Sequence, residues 1–141
     1  MKLYITIILT ILVGFHSAVS AQNGSSKKPY VPLIDLLEVG EQYEIVIRSM
    51  GCFHNRQQSL FIFREENSYV ANLNDSEMIL NQTQVDALRK FERQLKYVGT
   101  GGCTTVDTYI LKYGPEQTVY NDDTCSRFFG KVLLEELGFS S

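Results

Sequence analysis

The chain has 141 residues, with 13 Lys and Arg against 16 Asp and Glu and a net charge of −3 near neutrality. That length suits one domain, and the acidic balance argues against nucleic-acid binding, which needs a basic face to neutralise phosphates. The 8 Tyr and 8 Phe allow a real hydrophobic core that does not depend wholly on cross-links.

In chain order, Lys2 precedes an apolar run from Leu3 to Phe15, and Ser17-Ala18-Val19-Ser20-Ala21 follows it. This is the pattern of a signal peptide over residues 1–21, cut after Ala21 or after Ser20. The apolar run falls short of the roughly 20 residues that span a bilayer, and no cysteine sits at the cut to take a lipid. Cleavage removes one basic residue, Lys2, and no acid, so the mature domain is more acidic than the precursor. No basic amphipathic helix offers itself to an anionic lipid surface, so no membrane anchor is expected after cleavage. The expected location is secreted or periplasmic, where disulfides form.

Residues 22–29 are polar and read as a flexible tether to a single small domain at 30–141. Pro32 opens a short helical turn through Leu33, Ile34, Leu36 and Leu37, stopped by Gly40. Residues 43–48 alternate and are rich in β-branched side chains, which predicts a strand. Residues 59–64 predict a second, apolar on both faces and therefore central. A turn at 65–68 leads to a third strand at 69–73.

The period then changes. Val85, Leu88, Phe91 and Leu95 recur at three and four residues and form one apolar stripe on a helix. Asn81 followed by Gln84 resembles a capping box at its start. Strands are expected at 104–113 and 117–121 around Gly114-Pro115-Glu116, a hairpin turn. Phe128, Phe129, Val132, Leu133 and Leu137 place a second helix over 127–137, ended by Gly138. The sequence therefore predicts an α+β fold in two layers, with a mainly antiparallel sheet of about five strands and both helices on one face.

The three cysteines, Cys52, Cys103 and Cys125, match no zinc-ribbon or Cys-x-x-Cys spacing. Cys103 and Cys125 lie just outside the second hairpin at nearly mirrored distances from its turn, so a bridge between them is geometrically natural. Cys52–Cys103 is the rival pairing. With the first pairing Cys52 is the free thiol, either a small buried hydrophobe or a reactive or intermolecular group.

His54 is the only histidine beyond the signal segment and follows Cys52 by two residues. On a strand, such a pair points to one face. That allows a thiolate–imidazole nucleophile at Cys52 and His54, or a metal or redox site formed by Cys52, His54, Cys103 and Cys125. The plain reading of His54 is an exposed loop residue, and no cofactor is required by any motif. Asp107, Glu116, Asp122 and Asp123 make the second hairpin acidic without the spacing of an EF-hand. Residues 121–124 read as a turn that begins the last helix, with Asp or Thr near its N-terminus. Gly99-Thr100-Gly101-Gly102 lacks the Lys-Ser/Thr and the helix of a phosphate loop and reads as a connection. The sequons at Asn23, Asn74 and Asn81 count only in a eukaryotic secretory pathway, and the signal segment is bacterial in style.

The order of elements resembles that of emfourin-type small inhibitors of metalloproteases. The likeness runs through residues 80–88, 109–111, 117–120 and 133–137, roughly the C-terminal half, and consists of pattern. The cysteines stand outside it and no binding residue is carried over. It implies inhibition of a secreted enzyme. The expectation is thus a non-enzymatic binding domain whose partner is another extracytoplasmic protein, with contacts expected in loops 50–58 and 99–103.

Overall fold

The computed structural model describes residues 29–125 and 128–139. The signal segment, nearly all of the tether, Asn23 and Arg127 lie outside the described residues. Six antiparallel strands form one open sheet in the order β4-β3-β2-β1-β5-β6. They are β1 (Gln42–Gly51), β2 (His54–Arg64), β3 (Tyr69–Leu73), β4 (Ser76–Leu80), β5 (Val106–Tyr113) and β6 (Glu116–Asp122). Helices α1 (Gln82–Leu95) and α2 (Phe129–Leu137) complete the fold, with a 3-10 turn at Leu33–Asp35.

The sheet has one strand more than expected. Residues 76–80 pair with β3 as an edge strand, from Tyr69↔Leu80 to Leu73↔Ser76. The turn between them holds Asn74 and Asp75 at φ of 49° and 65°. Two successive left-handed residues match the twist of a tight hairpin, and Asn and Asp tolerate that conformation. At the second hairpin Gly114 takes φ 55° and Pro115 follows it, so Gly stands at the first central turn position.

The expected loop at 50–58 is also corrected. Strands β1 and β2 pair without interruption from Gln42↔Phe63 to Gly51↔His54, leaving Cys52 and Phe53 alone as the turn. Strand β3 reaches along β2 only as far as Leu60. Among the described residues, the outer edge of His54–Ser59 is therefore unpaired by any strand, and its polar sequence discourages edge-to-edge association.

One sheet face carries the core. Tyr43, Ile45, Leu60, Ile62, Ala71, Leu73, Tyr109 and Leu111 meet Val85, Leu88, Phe91 and Leu95 of α1 and Leu133, Leu134 and Leu137 of α2. The rings of Phe91 and Phe129 each stand edge-on to Tyr109, so both helices cover this face.

Helix α1 has the capping box expected of it. Gln84 N donates to Asn81 Oδ1 (3.0 Å), and Asn81 N donates to Gln84 Oε1 (2.9 Å). The Gln84 amide nitrogen also donates to the Leu137 carbonyl, joining the start of α1 to the end of α2. Gly138, at φ 91°, closes α2 with hydrogen bonds from its own N–H to Glu135 O and from Phe139 N to Leu134 O. The start of α2 differs from expectation: its cap is Phe128, with no side-chain hydrogen bond. Asp122 instead caps its own turn, accepting from Thr124 N (3.0 Å) and Thr124 Oγ1 (2.6 Å).

The 3-10 turn is pinned by Glu92, which is fully buried. Glu92 accepts from Tyr30 Oη (3.1 Å), Leu33 N, Ile34 N (3.3 Å) and Tyr43 Oη (2.9 Å). The carboxylate thereby satisfies free N–H groups at the start of the turn, as a capping acid does.

Candidate functional site

At one end of the sheet, β1, β2, β5 and the start of α2 enclose a cavity of about 510 Å³. Alternation along the strands decides which side chains line it. Ile47 and Ser49 come from β1, His54, Arg56 and Gln58 from β2, and Asp107 and Tyr109 from β5; α2 and its cap add Phe128, Gly130, Lys131 and Leu134. The ladder explains the grouping, because Gly51↔His54, Ser49↔Arg56 and Ile47↔Gln58 are neighbours on it. Asp107, Tyr109, Gly130 and Leu134 are buried and make the floor, whereas His54, Arg56, Phe128 and Lys131 are exposed and make the rim.

Gly130 lets α2 approach. A β-carbon there would stand 2.5 Å from Ile47 Cγ2 and 3.1 Å from Tyr109 Cε1, so any larger residue would push the helix off the sheet. Gly130 N donates to Tyr109 Oη (3.3 Å), and Tyr109 Oη donates to Asp107 Oδ2 (3.4 Å). Burial, first of all, pushes the Tyr109 hydroxyl far above the ordinary tyrosine range, with the nearby charges of Asp107 and Asp122 adding to it. It stays protonated and serves as a donor.

Asp107 is 9 % exposed, Asp122 is 4 % exposed, and the two are direct partners on the β5–β6 ladder. Among the described residues, Asp107 Oδ1 and Asp122 Oδ2 have no hydrogen-bond partner. The sequence presented these acids only as the character of a hairpin; nothing in it signalled their burial, since strand alternation alone does not say which face a helix will cover.

Cys103 and Cys125 form a disulfide with a Cα–Cα distance of 5.8 Å. The bridge is reinforced from both sides, since Cys103 N donates to Asp123 O (3.0 Å) and Gly101 N to Asp123 Oδ1. The loop 99–103 is thus fastened against the end of β6. A β-carbon at Gly101 would stand 2.6 Å from Asp123 O, which explains a glycine at that point of close approach.

Cys52 is a free, exposed thiol on the hairpin turn. Because it occupies a turn and not a strand, the same-face argument for Cys52 and His54 does not apply. Among the described residues no hydrogen bond joins them; His54 Nε2 lies 3.1 Å from Ser49 Oγ. A disulfide offers no thiolates, and no group of three or more His, Cys, Asp and Glu converges among the described residues. The four-ligand arrangement of Cys52, His54, Cys103 and Cys125 does not assemble here.

The tip also carries Phe53, whose side chain is fully exposed, and Met50 beside it. Among the described residues no helix is long and apolar enough to cross a membrane, and the disulfide fits an oxidising compartment. Compared with protein-family models, curated proteins and solved structures, the chain finds no match.

Proposed function

We propose that the chain is an exported, disulfide-stapled binding domain that docks on another extracytoplasmic protein, as a small enzyme inhibitor does. The observation that carries this reading is the tip of the β1–β2 hairpin, where Phe53 holds its whole ring in solvent with Met50 exposed nearby. An apolar ring that contributes nothing to the core costs solvation in the free protein and gains it back when covered. Aromatic anchors of this kind dominate protein interfaces. The hairpin holds its tip on continuous backbone pairing as far as Gly51↔His54, so little order has to be acquired on binding.

The test is affinity capture from the native extracytoplasmic surroundings with the purified domain and with Phe53→Ser. The expected result is a specific protein retained by the unaltered domain and lost with F53S, at unchanged melting temperature. An identical set of retained proteins for both would overturn the assignment to the tip.

A further inference from the structure

The cavity beside α2 has one acceptor without a donor among its buried residues and cations on its rim. Asp107 lines it, is nine-tenths buried, and leaves Oδ1 without a partner among the described residues. A carboxylate is acceptor-only, so whatever satisfies that oxygen must bring a donor. Asp122, the ladder partner of Asp107 behind the cavity wall, is a second buried carboxyl group close by, which favours a cationic donor over a neutral one. On the rim, Arg56 makes no salt bridge with any described residue, and Lys131 reaches Glu135 only at 3.7 Å. Arg56 is open to an anionic group, and Lys131 would share its ammonium between that group and Glu135. Ser49, paired with Arg56 on one side and Asp107 on the other, lies between them, and Ile47, Phe128 and Leu134 add apolar surface to the lining.

We propose that this cavity binds a short peptide or amino acid with an apolar side chain, its ammonium group at Asp107 and its carboxylate at Arg56 and Lys131. Other classes fit less well. A simple anion would meet Asp107, an uncharged apolar molecule would leave its Oδ1 unsatisfied at a cost, and a metal ion would want further ligands. The volume of about 510 Å³ lies within the usual range for small-molecule sites and has room for more than one residue. This site is separate from the hairpin tip, so it stands or falls independently of the docking proposal.

The test is isothermal titration of the purified protein with leucine, leucyl-leucine, N-acetyl-leucyl-leucine and leucyl-leucine amide. Leucyl-leucine is expected to bind, N-acetylation to weaken it about tenfold or more, and amidation to weaken it severalfold. Leucine binding as tightly as the dipeptide would place the site with amino acids; weaker binding would place it with peptides. Asp107→Asn is expected to erase the preference for the free amine, and Arg56→Gln to reduce the preference for the free acid. Lys90→Gln, whose partner Glu136 lies away from the cavity, is expected to titrate like the unaltered protein. No binding of any probe up to about 5 mM would overturn the proposal, as would acetylated and free dipeptide binding alike. Comparing those two ligands on the unaltered chain decides between these outcomes even if D107N fails to fold.

Discussion

Asp107 and Asp122 face each other across the β5–β6 ladder, both buried, and each keeps one carboxylate oxygen without a hydrogen-bond partner among the described residues. Like charges directly opposite on a sheet destabilise it, and burial removes the water that would screen them. Replacing Asp107 by Asn removes one charge and brings an amide donor to the ladder. In the ligand-free protein D107N is expected to melt about 3–5 °C higher. A melting temperature lowered by the same amount would mean that the charge at Asp107 already has a favourable partner.

The Cys103–Cys125 bridge closes a loop with a sequence separation of 22. On the chain-entropy model such a bridge stabilises by about 3 kcal/mol. The double variant Cys103→Ala/Cys125→Ala is expected to lose that much in urea unfolding, with lost hydrogen-exchange protection at the Cys103 amide. Unchanged stability would assign the hold on loop 99–103 to the backbone contacts with Asp123 alone.

Glu92 and the less buried carboxylates Glu41 and Glu44 act in opposite directions with pH. Burial raises Glu92 above its ordinary value of 4.5, and its four hydrogen-bond donors only partly offset that. Its folded value exceeds its unfolded one, so its contribution is fully present below the unfolded value and is lost as pH rises through the folded value. Glu41 is lowered, chiefly by the hydrogen bond from Tyr113. For Glu44 partial burial works upward, but hydrogen bonds from Lys112 and Ser59, with the Lys112 charge, outweigh it and leave it lowered. Those two contribute above their unfolded values and lose the contribution as pH falls through their folded values. Stability is therefore expected to rise as pH falls through the folded value of Glu92 toward 4.5, and to fall as pH drops further through those of Glu41 and Glu44. Glu92→Gln is expected to flatten the limb above pH 4.5 and to cost about 1–3 kcal/mol, since its amide places a donor among donors. A pH profile unchanged by E92Q would contradict this account.

Much of this architecture is written in side-chain period. The stripe Val85, Leu88, Phe91, Leu95 and the pair Asn81 and Gln84 led to α1 and its cap, because both are local. Strand β2 is central, as residues apolar on both faces implied. Strand β4 was hidden, since an edge strand such as Ser76–Leu80 buries only Leu80 and shows no clear alternation. The start of β2 was hidden likewise: residues 54–57 are exposed and polar, and only pairing with β1 makes them a strand. The mirrored placing of Cys103 and Cys125 about Gly114 pointed to the pair that the structure joins. The cavity was not legible at all. It depends on Gly130 letting α2 close over Ile47 and Tyr109, a contact between distant segments that no local spacing encodes.

The most direct test of the docking proposal uses the thiol that nature placed beside Phe53. Cys52 is exposed and free, so a maleimide–benzophenone attaches there without altering the chain. Irradiation in the native extracytoplasmic surroundings is expected to yield one heavier adduct containing this chain and a second protein, lost when Phe53 is replaced by Ser. Adducts indifferent to Phe53→Ser, or none from Cys52 while a probe placed at Ser76→Cys on the far edge strand captures a partner, would contradict docking through the hairpin tip.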